Sequence, residues 1–496
     1  MIADPPQTTL DRIEAVLYSA NPRTAYLARG ALFALAALTA ALAVALLGPL
    51  YAVAGFAVLI GGLLVLRDIR WGLLALFGVI GLLPFAALPF KIGFRPTFLD
   101  VALLAVYFVW VLRVVTRRDR ELVGTALGPL IFLFLSLAIF SFANGLRYSR
   151  PSATIIRNFA ELILAIAFFF VLVNTLRRRA DVDFMARLVM LAGVAGAAIA
   201  IVLYVIPVAW TIRILDALGR FNYPGGAGAL RYIEDSAENP MRAIGTMVDP
   251  NVLGGFLIFI TAFTLLQLVS ARPLFRRIWL AAFAGAEMLA LYLTYSRGSM
   301  AGLFVGLAVI GLLRYRKLLL LGAAAASLLI FLPQTQAYIV HFIEGVQLQD
   351  RATLMRLGEY KDALALIARY PWLGVGFAGS PDADLYVGVS NVYLLMAEIM
   401  GVIGLTVFLL VLAGYLRSLW VAWRRNTDPG LEPLFLGLGA AIIGGIVGGV
   451  FDHYLFNLVY PHMGVLLWTY LGLGMAAARL VEPSAASSAP TEVVHS

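Results

Sequence analysis

The stretch that decides the fold is IWLAAFAGAEMLALYLTYSRGSMAGLFVGLAVIGLL, residues 278–313. It holds two apolar runs, centred near Leu289 and Leu307, each close to the ~20 residues that cross a bilayer as a helix. The polar hexapeptide TYSRGS, residues 294–299, separates the two runs. The pattern predicts two membrane helices joined by a short turn that carries Arg297.

Composition extends this reading to the whole chain. Of its 496 residues, 62% are hydrophobic and 13% are charged, whereas soluble domains are about half apolar and a quarter charged. The chain is predicted to be an all-α polytopic integral membrane protein with about 12 to 14 transmembrane helices. Besides the two runs above, the spans are centred near Leu38, Val58, Phe77, Tyr107, Leu135, Ile166, Val194, Ile258, Ala325, Val407, Ala441 and Leu471.

Basic clusters fix the orientation of these spans. By the positive-inside rule, the loops that carry the densest clusters are cytoplasmic, as are both termini. These clusters also account for the net charge of +9, so the charge does not indicate nucleic-acid binding. The absence of cysteine excludes disulfides, a thiol nucleophile and cysteine-ligated metals. The clusters lie at Arg67 and Arg70, Arg113–Arg120, Arg177–Arg179, Arg272–Arg277, Arg314–Lys317 and Arg417–Arg425.

Two of the remaining, outer loops are long enough to fold. Residues 207–250 contain a turn-rich stretch, and residues 333–390 form the largest extramembrane segment. Within the latter, residues 351–370 have the periodicity of an amphipathic helix lying on the membrane surface or capping a cavity. Its apolar side is predicted to hold Leu354, Leu357, Leu364 and Ile367, with Arg356, Glu359 and Asp362 pointing away.

Four regions follow from this organisation. Residues 1–30 form a cytoplasmic leader, in which Leu10, Ile13 and Leu17 share one face of an interfacial helix. Residues 31–206 form an N-terminal transmembrane scaffold, and residues 207–480 a catalytic membrane region that includes both long outer loops. The Ser-, Ala- and Pro-rich residues 481–496 are predicted to be a disordered cytoplasmic tail.

Arg297 is the leading candidate for function, because an arginine on the outer face runs against the usual charge bias. A guanidinium matches a phosphate or pyrophosphate with two parallel hydrogen bonds. Ser296, Gly298 and Ser299 strengthen this interpretation, since hydroxyls and N–H groups at a helix start add donors for an anion. The alternative is an arginine that snorkels to the lipid headgroups.

Arg242 is the second arginine that a diphosphate would need. It precedes Asp249-Pro250-Asn251, in which Asp249 is expected to cap the helix that Pro250 begins. Asp249 and Asn251 are candidate substrate-binding residues, and the alternative for Asp249 is the cap alone.

Further candidates for chemistry lie nearer the C-terminus. Glu398 is a carboxylate about two turns into an apolar span, where charge is expensive, so it is either catalytic or the partner of an arginine. Asp452, His453 and His462 belong to the last outer loop and are candidates for a general base or for binding a sugar hydroxyl. The alternative for these three is interfacial polarity beside Tyr454, Phe456 and Tyr460.

The remaining features concern binding and packing. No closely spaced histidines and carboxylates resemble a metal site, so neither a metal nor another cofactor is expected. The glycine-rich residues 436–450 are typical of close helix packing. The remaining candidate substrate-binding residues are Arg220, Arg356, Asn391 and Tyr393.

Three segments together resemble the O-antigen ligase and O-antigen polymerase superfamily of bacterial envelope glycosyltransferases. They are Arg242 through Asn251, the Ser296–Ser299 turn, and a third that begins with Arg356 and Tyr360. This third segment continues through PWLGVG (371–376), SNVYL (390–394) and the residues Glu398, Gly401 and Gly404. The resemblance covers residues 242–415, and the order and spacing of the segments make it specific.

The resemblance implies a metal-independent GT-C-type enzyme of the bacterial inner membrane. Such an enzyme transfers a glycan from undecaprenyl diphosphate to an acceptor hydroxyl, which is another glycan or lipid A-core, on the periplasmic face. Arg242 and Arg297 map to the family's arginines, with Arg356 as a weaker third. One departure is Ser390, which stands where the ligases carry a histidine, so the general base is Glu398, Asp452, His453 or His462, or the chain belongs to a polymerase branch.

Three classes of function therefore remain open from the sequence: a glycosyltransferase, a transporter and a non-catalytic scaffold. Ligase and polymerase activities are both compatible with the motifs. A flippase or other transporter of lipid-linked oligosaccharides would also use buried arginines, but it is expected to show inverted repeats and charges in both membrane halves. In a non-catalytic scaffold the arginines would be expendable.

Overall fold

A computed structural model describes residues 21–116, 121–316, 351–382 and 387–481. It also describes the isolated residues 15, 16, 18, 19, 319, 320, 322, 384 and 385. The helices within this part are α1 (Pro22–Leu47), α2 (Pro49–Arg67), α3 (Ile69–Leu82), α4 (Phe98–Val115), α5 (Gly128–Gly145), α6 (Ala153–Thr175), α7 (Arg179–Val205), α8 (Val208–Leu218), α9 (Pro250–Leu268), α10 (Arg277–Leu293), α11 (Arg297–Leu313), α12 (Arg351–Arg369), α13 (Val392–Arg425), α14 (Glu432–Gly448) and α15 (Pro461–Arg479). Two short antiparallel strands accompany them, β1 (Arg231–Tyr232) and β2 (Met241–Arg242).

The helices confirm an all-α polytopic membrane protein. Within the described residues, 7 helices are long and apolar enough to cross a membrane, and shorter apolar helices stand beside them. Every predicted span centre but one falls inside a helix. The exception, Ala325, lies outside the described residues, as do Leu10, Ile13, Leu17, His341 and the tail from residue 482.

The chain divides into two compact units, Met1–Trp71 and Gly72–Ser496. In the first unit, α1 and α2 pack against each other on either side of Gly48. In the second, α9 is central, because nearly all its residues are buried against α7, α10, α11 and α14. Every candidate functional residue that the structure describes belongs to this second unit.

Small residues bring α11 and α14 into backbone contact. A Cβ added at Gly302 would lie 2.6 Å from the carbonyl oxygen of Gly444, and one added at Gly306 would lie 2.3 Å from that of Ala440. Neither approach is possible for a larger residue, which is how small-residue stripes join membrane helices. The prediction that residues 436–450 serve helix packing is confirmed.

A kink at Gly401, whose φ is +69°, interrupts α13. The loop before α13 docks on this kink through backbone bonds: Val375 N–H donates to Glu398 O (2.8 Å) and Val402 N–H to Pro371 O (2.8 Å). Residues 402–425 alone exceed the ~20 residues that a bilayer requires. Glu398 lies in the last turn before the kink, so a depth estimated from a continuous helical rise does not apply to it.

Helix α12 packs with a different face from the one its pattern predicts. Ala363 and Leu366 are buried, whereas Leu354 and Leu364 are more than half exposed. Glu359, predicted to point away, instead accepts a hydrogen bond from Ser390 N–H at 2.9 Å, so that prediction is wrong. Around a membrane, an apolar stripe need not be the packed face, because lipid as well as protein can cover it.

Candidate functional site

The turn between α10 and α11 is built by local hydrogen bonds. The hydroxyl of Thr294 donates to Leu291 O (2.6 Å) and accepts from Ser296 N–H (3.1 Å). Tyr295 adopts a left-handed conformation with φ of +52°, which reverses the chain within one residue. Arg297 is then the first residue of α11, as the sequence predicts.

Arg242 is brought to this turn from a distant part of the chain. Its Nε donates to Thr294 O at 2.8 Å, three residues before Arg297. Its Nη2 donates to Asn251 Oδ1 at 2.7 Å, and the neighbouring Ala243 N–H donates to Leu293 O at 2.8 Å. Arg242 is therefore bonded to the turn that carries Arg297, and we call this region the arginine junction: Arg242, Asn251 and Thr294–Ser299.

Asp249 caps α9 beside the junction. Its Oδ1 accepts from the N–H groups of Asn251 (2.7 Å) and Val252 (3.1 Å), which confirms the predicted cap. Burial raises the pKa of this carboxyl, and the charge of Asp452 raises it further, against the opposing effect of Arg242. Asp249 and Asp452 are thus electrostatic neighbours, although two hundred residues separate them in sequence.

Ser296 and Ser299 hold the junction against α9. Both are buried, and their hydroxyl oxygens lie 2.9 Å apart. A Cβ added at Gly254 of α9 would lie 2.4 Å from Ser299 Oγ, so the helices touch here. This placement favours a role in fixing the turn that presents Arg297 over direct contact with a substrate.

Asn391 and Tyr393 join the start of α13 to the end of α14. Asn391 Oδ1 caps α13 by accepting from Tyr393 N–H (2.9 Å), and its Nδ2 donates to Val450 O (3.0 Å). The hydroxyl of Tyr393 donates to Ile446 O at 2.6 Å. These bonds place Ser390 next to the loop that carries Asp452 and His453.

Asp452 and His453 form a pair in that loop. Asp452 Oδ1 lies 3.3 Å from His453 Nδ1 and also accepts from the His453 N–H at 2.6 Å. Burial acts to lower the pKa of the imidazole, but Asp452, with smaller effects from Glu359 and Asp249, raises it above its usual value. The contact at Nδ1 has no hydrogen-bond geometry, so Asp452 acts on the imidazole through its charge, and the bond it accepts comes from the backbone N–H of His453.

Glu398 is 1% exposed, and the charged side chains that act on it are the acids Asp362 and Glu359. Within the described part of the chain, no ion pair joins it to an arginine. Among these candidates, it is therefore the least well placed for an ion-pairing role.

Other candidates lie apart from the junction. Arg220 is exposed, and its Nε donates to Ala217 O at 3.0 Å. Arg356 is half-buried on α12. His462 is fully buried, with its ring edge-on to Phe85 at 5.1 Å, so it packs among aromatic side chains and is not exposed in the last outer loop.

A cavity of about 650 Å³ adjoins the junction. Its basic residues come from three separate segments of the chain, so no local sequence pattern marks them as one site. Asp249 is the one predicted site residue in its wall. The residues that line it include Lys91, Arg95, Thr97, Arg157, Asn222, Arg231 and Tyr460. Among the described residues, no group of three or more His, Asp or Glu side chains is placed to hold a metal.

Comparison with known families identifies one segment. Residues 279–409 match the family model described as O-antigen ligase. No curated protein matches the chain. The matched segment contains Arg297, Arg356, Asn391 and Glu398, whereas Arg242 and the Asp452–His453 pair lie outside it. The similarity of this membrane protein to the O-antigen ligase and polymerase superfamily, predicted from its sequence, is therefore confirmed over residues 279–409.

Proposed function

We propose that this protein is a glycosyltransferase of the bacterial inner membrane whose active site faces the periplasm. Its donor is a glycan linked to undecaprenyl diphosphate, and its acceptor is a hydroxyl of another glycan or of lipid A-core. The reaction breaks the bond between the sugar and the diphosphate and forms a glycosidic bond, while the acceptor hydroxyl loses its proton. It proceeds without a metal.

The observation that carries the proposal is that Arg242 is bonded to the turn that carries Arg297. Charge develops on the diphosphate as the glycosyl bond breaks, and preorganised donors stabilise that charge most where water is scarce. Arg242 is held by Thr294 O and Asn251 Oδ1, so its orientation is set before substrate binds. Arg297, at the first position of α11, adds a second cation and the N-terminal end of a helix dipole.

The Asp452–His453 pair supports the acid–base half of the reaction. A carboxylate 3.3 Å from Nδ1 stabilises the protonated imidazole by its charge and leaves Nε2 to take a proton. Ser390 occupies the position of the family's histidine, yet Asn391 hydrogen-bonds to Val450 O, two residues before Asp452. An imidazole from the α14–α15 loop thereby replaces the one missing at Ser390, and His453 is the proposed general base.

A reconstituted transfer assay tests the proposal. Purified protein in liposomes receives undecaprenyl-diphosphate-linked repeat units, with and without lipid A-core. We expect Arg297→Ala to lower kcat by about 10²- to 10³-fold, the usual loss when one preorganised charge-stabilising donor is removed. Arg150→Ala, which removes an exposed arginine from the α5–α6 connection, is the matched control and retains activity.

The products separate the remaining alternatives. A ladder without added acceptor identifies a polymerase, and a product formed only with lipid A-core identifies a ligase. Undiminished transfer by Arg297→Ala would contradict the role of the junction. Movement of the lipid-linked substrate across the bilayer without any transfer would favour the flippase instead.

A further inference from the structure

The cavity beside the arginine junction is a second recognition site, and we propose that it binds an anionic saccharide, a glycan segment that carries carboxylate or phosphate groups. The proposal deepens the glycosyltransferase function and rests on it for the identity of the glycan as donor or acceptor. It assigns specificity to the α3–α4 connection, residues 83–97, and to the hairpin β1–β2, both of which lie outside the matched family segment.

Hydrogen bonds between distant segments hold the walls of the cavity together. The backbone N–H of Ala87 donates to Phe221 O at 2.8 Å, and Arg95 hydrogen-bonds to the side chain of Asn222, so the α3–α4 connection is tied to the segment after α8. Its volume of about 650 Å³ lies within the range of ~300–1,000 Å³ typical of small-molecule sites. Several separate segments of the chain thus enclose a space large enough for a ligand.

Arg157, one of the lining residues, belongs to an ion cluster behind the cavity wall. Arg157 Nε lies 2.9 Å from Asp100 Oδ2, and its Nη2 lies 2.9 Å from Glu161 Oε2. Arg157 also donates to Thr97 Oγ1 at 3.2 Å. Its charge is therefore balanced within the protein, and this cluster supplies rigidity rather than net charge.

The remaining cationic residues of the lining have no comparable balance. Lys91, Arg95 and Arg231 line the cavity, and among its described lining residues the acid is Asp249. The Oδ1 of Asp249 is already occupied by the N–H groups of Asn251 and Val252. The wall therefore has a positive excess, and a concave wall of one charge concentrates ligands of the opposite charge.

The register of the hairpin connects the cavity to the arginine junction. Arg231 of β1 stands directly opposite Arg242 of β2. Because Arg242 also binds the α10–α11 turn and Arg231 lines the cavity, the hairpin joins the two sites, and one glycan can extend from the diphosphate into the cavity.

Neutral groups of the wall suit the rest of a sugar. Tyr460 brings a hydroxyl and Asn222 an amide Nδ2 to the lining, and these groups can hydrogen-bond to a sugar. The mixture of cations and neutral hydrogen-bonding groups is what an acidic saccharide requires, with guanidinium groups for its anions and amide and hydroxyl groups for its ring hydroxyls.

A binding measurement on the full-length protein in lipid nanodiscs tests this site. Three lipid-free oligosaccharide probes of equal length are titrated calorimetrically: one with uronic acids, one with phosphate monoesters and one neutral. The test variant is the double substitution Arg95→Gln/Arg231→Gln. The charge-matched control is the double substitution Arg150→Gln/Arg213→Gln, since Arg150 and Arg213 are exposed and neither lines the cavity.

We expect at least one anionic probe to bind about tenfold more tightly than the neutral probe, and the test variant to abolish that preference, since a hydrogen bond to a charged group contributes about this factor. Preference for uronate identifies an acidic sugar as the ligand, and preference for phosphate identifies a phosphorylated glycan. If the test variant unfolds, as judged by its thermal transition, Lys91→Gln at the exposed rim replaces it.

Equal binding of neutral and anionic probes, or a preference that survives in the test variant, would overturn the proposal. The measurement does not depend on turnover. Wild-type protein that shows the preference but transfers no glycan would refute the proposed enzyme and leave the cavity site standing. Protein that transfers glycan but shows no preference for an anionic probe would refute the cavity site and leave the proposed enzyme standing.

Discussion

At the scale of the residue, the pair of Asp452 and His453 links structure to the pH dependence of the reaction. A general base acts in its neutral form, so the rate rises with pH through its pKa. Burial alone would lower the pKa of His453, but Asp452, Glu359 and Asp249 raise it overall. The acid limb of the rate profile is therefore expected above the ordinary imidazole pKa.

Replacing Asp452 with asparagine tests this link. Asp452→Asn removes the largest of the effects that raise the pKa of His453, so the acid limb is expected to move to lower pH. The plateau of kcat is expected to fall, because the protonated imidazole loses the carboxylate that stabilises it. The measurement is the pH profile of kcat/KM for both proteins. His453→Gln is the reference that removes the limb, and a limb that stays in place in Asp452→Asn would refute the pairing.

Arg242 offers a second test, because two acceptors fix the plane of its guanidinium. Lysine keeps the charge but cannot donate at once to Thr294 O and Asn251 Oδ1 from one planar fork. We expect Arg242→Lys to lose about 10-fold or more in kcat/KM in the transfer assay. Retention of full activity would mean that charge alone matters and that the fixed geometry of the junction is dispensable.

At the scale of the element, glycines determine how the loop before α13 meets the helix. Gly374 has φ of +65°, and an added Cβ would lie 2.4 Å from Glu398 O; Gly376 has φ of +81°, and its Cβ would lie 2.6 Å from Gly145 Cα. These positions combine left-handed backbone with direct backbone contact. The motif residues 371–376 and Gly401 therefore serve the fold of the loop, and through it the position of Ser390, rather than contact with substrate.

Substitution at the kink makes this claim measurable. In Gly401→Ala the new Cβ would lie 2.1 Å from Trp372 O, on a backbone with φ of +69°, so we expect a loss of about 2 kcal/mol or more in stability. The thermal transition of the detergent-purified protein reports it. Gly285→Ala in α10, where nothing lies within 4 Å, is the control and is expected to be neutral or slightly stabilising. Equal transitions for the two variants would contradict the docking.

At the scale of the whole molecule, the sequence predicts spans better than it predicts their partners. An apolar run of about 20 residues is a local signal, so the centres from Leu38 to Leu471 fall inside helices with the exception noted at Ala325. The cap at Asp249 and the glycine packing near Gly444 were also readable, because each depends on short-range pattern.

What the sequence did not reveal depends on contacts between distant segments. The bond from Arg242 to Thr294 O crosses 52 residues, and that from Ser390 to Glu359 crosses 31. The cavity draws its basic residues from segments near 91, 157 and 231. The periodicity of a sequence does not indicate contacts between distant segments. In a bilayer, even the apolar face of α12 does not identify the side of the helix that packs against protein.

The proposed reaction also depends on the orientation of the molecule in its membrane. Because the sequence contains no cysteine, single introduced cysteines can test this orientation. Ala237, in the loop before β2, and Thr427, between α13 and α14, are both exposed. The basic cluster at Arg417–Arg425 predicts that the second loop is cytoplasmic and the first periplasmic, so a membrane-impermeant maleimide is expected to label Ala237→Cys in intact spheroplasts. It should label Thr427→Cys only after permeabilisation. The opposite pattern would put the arginine junction on the cytoplasmic face, where a periplasmic glycan could not reach it.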